Sequence, residues 1–141
     1  MKAPVIADTS ALISLASISD GNHKVAKSIS TSIKKNDYPL IIPGEVFTET
    51  INTLGKKASH RSAIGTASEM LGSKELMIAD TSPDLRANAL IKFKEQSESV
   101  SFTDCLVMAF ADEYKTQLIF GFDDVFRKNG YVRLGVDKQS K

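Results

Sequence analysis

Two hydrophobic patterns alternate along the chain: short unbroken apolar runs of strand length, and longer stretches in which apolar residues recur every three or four positions. Runs of the first kind are Val5-Ile6-Ala7, Tyr38-Pro39-Leu40-Ile41-Ile42, Leu76-Met77-Ile78-Ala79-Asp80 and Gln117-Leu118-Ile119-Phe120-Gly121-Phe122, with a last one at Tyr131-Val132-Arg133-Leu134. The helical stretches lie between them. Residues 22–35 carry Val25, Ala26, Ile29 and Ile33 on one stripe, with lysines outward. Pro43 suits the first turn of a helix that continues through Val46, Phe47, Ile51 and Leu54 and ends near Gly55-Lys56-Lys57. Residues 60–71 place Ile64, Ala67 and Leu71 in register and close at Gly72, and Ser82-Pro83-Asp84 starts a helix through Leu85, Ala89, Ile91 and Phe93. Residues 103–114 differ in kind, because Cys105-Leu106-Val107-Met108-Ala109-Phe110-Ala111 is apolar on every side and belongs inside the fold.

Strands that alternate with helices predict an α/β fold: a mainly parallel central sheet of about five short strands covered by helices on both faces, in three layers α/β/α. The 141 residues suit one domain, expected over 1–136, with a flexible tail at 137–141. Hydrophobic and charged contents of 42% and 25% are ordinary for a globular chain, which argues against disorder and fibrous repeats. No apolar run approaches the roughly 20 residues of a membrane helix, and the early Asp8 argues against a secretory signal. The lone Cys105 cannot form an internal disulfide, so a cytoplasmic protein with a buried thiol is expected. A net charge of +1 says little about partners, since a polyanion needs only a local basic surface.

The candidate chemistry begins at Asp8-Thr9-Ser10, an acid and two hydroxyls between a buried strand and the helix through Ala11, Leu12 and Ile13. A helix cap needs one such residue, not three. Asp123 follows another strand, Glu49 lies about a turn inside the helix after the second strand, and Asp104 opens the apolar helix. In a parallel sheet all four acids can meet at the carboxyl edge, where ligands of open α/β sheets bind. Asp104 is the most informative, because a carboxylate in an apolar helix needs a partner or a helix N-terminus to stabilise it. Carboxylates gathered without histidine or cysteine ligands suit Mg²⁺ or Mn²⁺ and, with it, hydrolysis of a phosphodiester. His23 and His60 stand at no metal-ligand spacing, and His60 is expected to be a surface residue.

The order Asp8-Thr9-Ser10, Glu49 after a proline-led segment, Ser101-Phe102-Thr103-Asp104, then Phe122-Asp123 after an apolar strand resembles the PIN-domain nucleases. It is most similar to the small members that serve as the toxin of VapBC toxin–antitoxin pairs. That resemblance implies a metal-dependent endoribonuclease acting on RNA, with Asp8, Glu49, Asp104 and Asp123 as catalytic metal ligands and Ser10 as the hydroxyl supporting Asp8. Glu45, one turn from Glu49, is the alternative second acid. The resemblance further implies a small antitoxin protein and a homodimer, for which the stripes at Val25 to Ile33 and Ile64 to Leu71 are candidate interfaces. One departure stands out: Gly121 occupies the place of a hydroxyl residue two before the fourth acid, and Asp124 is a candidate to share its work. Lys56, Lys57, His60 and Arg61, and separately Arg127 and Lys128, are candidate phosphate contacts. Two other readings fit the residues less well: an aspartyl phosphatase or phosphotransferase using Asp8, which lacks a second acid at Ser10, and a PIN-like scaffold that binds RNA or protein without strong catalysis.

Overall fold

The computed structural model describes residues 2–138. Five strands form one all-parallel sheet in the order β3-β2-β1-β4-β5, with β1 (Val5–Ala7) at its centre. β1 pairs with β2 (Leu40–Pro43) on one side and β4 (Leu118–Phe120) on the other, while β3 (Leu76–Ala79) and β5 (Val132–Arg133) form the edges. The helices are α1 (Thr9–Ala16), α2 (His23–Lys35), α3 (Gly44–Lys57), α4 (His60–Gly72), α5 (Pro83–Lys94), α6 (Phe102–Glu113) and α7 (Asp124–Lys128). This is the expected layered α/β architecture, and its sheet is wholly parallel.

The core follows from the two apolar patterns. All three residues of β1 are fully buried, and α6, apolar on every face, packs on α5 while also touching β1, β2 and β4. Cys105 through Ala111 are all buried there, including the free Cys105 thiol, as a helix enclosed on all sides requires. Burial also pushes that thiol's pKa up.

Three local expectations are corrected. Pro43 closes β2 and caps α3 instead of entering its first turn. α3 ends at Lys57 as expected, and a side chain added at Gly55 would make only ordinary contact with the Ala63 Cβ at 3.8 Å. On α4 it is Ala63 and Met70 that are buried, while Ile64 and Leu71 stand 54% and 68% exposed. Ala63 and Met70 are also seven residues apart, so spacing alone could not choose between the faces. On α5 the same happens: Leu85 and Ala89 are buried, whereas Ile91 is exposed and Phe93 reaches only the edge of the Phe102 ring.

The C-terminal boundary also moves. Asp137, expected to begin the tail, accepts from the Arg133 backbone at 2.9 Å and pairs with its guanidinium at 2.8 Å, so ordered contacts pass residue 136. Residues 139–141 of the expected tail lie outside the described residues.

If α4 faces inward as described, Leu54→Ala, at a buried α3 position, lowers stability by about 2–5 kcal/mol. Ile64→Ser with Leu71→Ser changes it by less than about 1 kcal/mol. Urea unfolding of both variants checks this; a loss from the serine pair equal to that of Leu54→Ala would contradict the assigned face.

Candidate active site

Several helices begin at the carboxyl edge of the sheet, and three of them, α1, α6 and α7, begin with one of the acids. Asp8 follows β1 directly: its N–H donates to Phe120 O of β4 at 2.9 Å, and its side chain caps α1. Ser10 donates to the same carboxylate oxygen twice, from its N–H at 3.3 Å and from its hydroxyl at 2.7 Å, both to Oδ2. The Ser10 hydroxyl also accepts from the Phe122 N–H at 3.2 Å, so one side chain ties the acid after β1 to the turn after β4. Asp8 is only 4% exposed. Burial, opposed by the Ser10 bonds and reinforced by the charge of Asp104, pushes its pKa up to about 6.

Asp104 is the third residue of α6. It forms a reciprocal cap with Ser101: the Ser101 N–H donates to Asp104 Oδ2 at 3.1 Å, and the Asp104 N–H donates to Ser101 Oγ at 3.0 Å. The simple role of an acid at a helix start is therefore real. Burial raises the Asp104 pKa, the Ser101 bonds oppose this, and the charges of Asp123 and Glu49 add to the rise. Asp104 thus feels Asp8, Asp123 and Glu49 alike, so all four expected acids reach one region. Asp123, exposed, caps α7 by accepting from the Val125 N–H at 3.2 Å.

The two glutamates of α3 separate cleanly. Glu45 accepts from the Thr81 hydroxyl at 2.6 Å, in the loop between β3 and α5. Glu49 faces α6 instead, where the Thr103 hydroxyl lies 3.4 Å from Oε2, a weak contact. Glu49 is the glutamate whose charge acts on Asp104.

No lysine or arginine among the described residues pairs with Asp8, Glu49, Asp104 or Asp123, whereas Asp112, Asp124 and Asp137 each have such a partner. Helix N-termini offset part of this negative charge, but only a fraction of a unit each. The donor set, all carboxylate oxygen, fits a hard divalent cation. Among the described residues no three such side chains stand close enough together to hold one ion.

Other expectations are settled by geometry. Asp124 is not available to replace the missing hydroxyl, because Arg127 grips it at 2.7 and 3.0 Å and Lys128 and Arg133 lie at 3.6 Å. Arg127 and Lys128 are correspondingly engaged. A side chain at Gly121 would stand 3.0 Å from the Asp8 Cβ, and Ser10 already supplies a hydroxyl to this turn. His23 bonds the Ser14 carbonyl through Nδ1 at 2.9 Å, and His60 is exposed, as expected.

Two positioning residues escaped the sequence reading. Thr103 was noticed only as Asp104's neighbour. Arg133 donates from Nη1 to Phe122 O at 2.8 Å, so the residue before Asp123 is held at its N–H by Ser10 and at its carbonyl by Arg133.

The buried Asp8 sets a pH dependence. The folded protein keeps this proton up to about pH 6 and the unfolded chain loses it near 3.8, so folding binds a proton in that window and stability falls as pH rises through it. At about 1.4 kcal/mol per pH unit the loss is on the order of 3 kcal/mol. Thermal melts from acid to neutral pH should show this fall in the metal-free wild type and a smaller one in Asp8→Asn; parallel curves would refute it.

Comparison with known proteins agrees with this geometry. No curated protein sequence matches the chain closely. Among solved structures, VapC20 of Mycobacterium tuberculosis, a sarcin–ricin loop cleaving toxin, is 26% identical with a TM-score of 0.78, over 91% of this chain and 96% of that one. The PIN domain family model matches residues 5–130, which span Asp8, Glu49, Asp104 and Asp123. The chain belongs to the PIN domain family and is built like a VapC toxin.

Proposed function

We propose that this protein is a metal-dependent endoribonuclease of the VapC type, the toxin of a type II toxin–antitoxin pair. The observation that carries the proposal is the set of four carboxylates, none paired with a cation, around Asp104 at the helix N-termini of a PIN-family chain. Asp8, Glu49, Asp104 and Asp123 would hold Mg²⁺ or Mn²⁺. Bound there, the cation supplies charge neutralisation for the attacking and leaving oxygens of a phosphodiester.

The chain's own residues prepare that chemistry. Ser10 holds Asp8 through Oδ2. Ser101 fixes Asp104 in the same way through Oδ2. Arg133 and Ser10 hold Phe122 from both sides and so aim Asp123, while Thr103 orients Glu49. The buried Asp8 and half-buried Asp104 form the floor and the exposed Glu49 and Asp123 form the rim, where a phosphate backbone has access.

A cytoplasmic location, a small antitoxin partner and a homodimer belong to the same proposal. Exposed Ile64 and Leu71 on α4, with Leu90, Ile91 and Phe93 on α5, supply apolar surface for such contacts. No helix among the described residues is long and apolar enough to cross a membrane.

RNA cleavage tests the activity, with a sarcin–ricin loop oligonucleotide as the first substrate because the VapC20 toxin cleaves that loop. Cleavage should require Mg²⁺ or Mn²⁺, stop with chelator, and fall at least about 100-fold in Asp8→Asn and Asp104→Asn. Ser10→Ala should raise the metal concentration needed by about 10–100-fold. Undiminished cleavage by both asparagine variants would overturn the proposal. RNA binding with neither cleavage nor metal binding would favour the scaffold reading, and a phosphorylated Asp8 the phosphotransferase one.

A further inference from the structure

A polar groove of about 870 Å³ opens beside the acids, and Glu49 and Thr103 belong to both. One wall is a single face of α3, where Glu45, Thr48, Glu49, Asn52, Thr53 and Lys56 recur at helical spacing. The other includes Asp80 and Thr81 of the loop after β3 and Arg86 in the second turn of α5. Lys56 and Arg86 are exposed, and neither is ion-paired among the described residues. On the opposite side of the site, Arg127, Lys128 and Arg133 share the carboxylates of Asp124 and Asp137, so each of these cations has an ion-pair partner. The groove side differs in that its cations, Lys56 and Arg86, have none among the described residues.

Resting on the nuclease reading above, we propose that this groove is the substrate track: it holds an unpaired RNA segment on one side of the scissile phosphate, with Lys56 and Arg86 each meeting a backbone phosphate. Lys56 lies seven residues beyond Glu49, about 10 Å along α3, so it meets a different phosphate from the one beside the acids. The wall between them offers amide and hydroxyl groups from Asn52, Thr48 and Thr53, which suit ribose 2′-hydroxyls and the edges of unstacked bases. Glu45 and Asp80 also line the groove, so its charge is mixed. Such a surface repels an acidic chain wherever no phosphate matches a cation, which favours a strand in one register over general attraction for polyanions.

Binding of a labelled sarcin–ricin loop oligonucleotide to full-length Asp8→Asn protein, which binds without cutting, tests the track. The dissociation constant is followed from about 50 to 200 mM salt. Adding Lys56→Met or Arg86→Met should each weaken binding and reduce the slope of log affinity against log salt by about 0.7, while Lys128→Met leaves the slope unchanged. In the otherwise wild-type enzyme the two groove variants should raise KM several-fold with kcat unchanged. Wild type that cleaves RNA with unaltered slopes in both groove variants would overturn the track and leave the nuclease reading intact. Wild type that neither binds nor cleaves any RNA tested would overturn both. A slope lost in Lys128→Met would move the track to α7. Binding of a poly-glutamate peptide that needs Lys56 and Arg86, with RNA slopes unaffected, would make the groove a peptide site and also overturn it.

Discussion

A carboxylate without a cationic partner sits almost fully buried where the central strand ends, and the rest of the site is arranged around that cost. Asp8 is desolvated, and the next nearest influence on its charge after Ser10 is another acid, Asp104. Two hydrogen bonds from Ser10 and the N-terminus of α1 offset part of the penalty, yet the pKa still rises to about 6. A structure evolved only for stability would place an apolar residue or an ion pair here. Retaining an acid makes sense where the missing positive charge comes from outside the chain.

The neighbouring elements hold that acid in place with short-range contacts. Gly121 lets the β4 turn come so close that a Cβ added there would stand 3.0 Å from the Asp8 Cβ, and the Ser10 hydroxyl bridges the two segments. Beyond it, the Arg133, Asp124, Arg127 and Asp137 network neutralises itself and grips the Phe122 carbonyl. One flank of the site is thus spent on rigidity. The other, between α3 and α5, keeps Lys56 and Arg86 unpaired and offers an open groove.

Most of this site was legible because its residues sit at element boundaries. The strand, acid and helix sequence at Asp8, the proline-led entry to α3 and the Ser101 to Asp104 cap all announce themselves locally, and a parallel sheet brings their ends together. What local pattern could not decide was set by tertiary contacts. Glu45 and Glu49 share a helix face, and only Thr81 on one side and Thr103 on the other separate them. Arg133 reaches the site because β5 pairs with β4, a neighbour relation no spacing encodes. The buried face of α4 is the one that carries Ala63 and Met70 in a helix packed on α3, for which the larger Ile64 and Leu71 gave a false cue.

The central claim is that an external cation replaces the proton that the buried Asp8 holds. Calorimetric titration of Mn²⁺ into the metal-free protein, in two buffers of different ionisation heat, measures the protons released on binding. At about pH 5, where Asp8 is protonated, close to one proton should leave per ion, falling toward none at about pH 8 and lost in Asp8→Asn. Mn²⁺ binding with no proton release at acid pH, or with identical release from Asp8→Asn, would contradict the account.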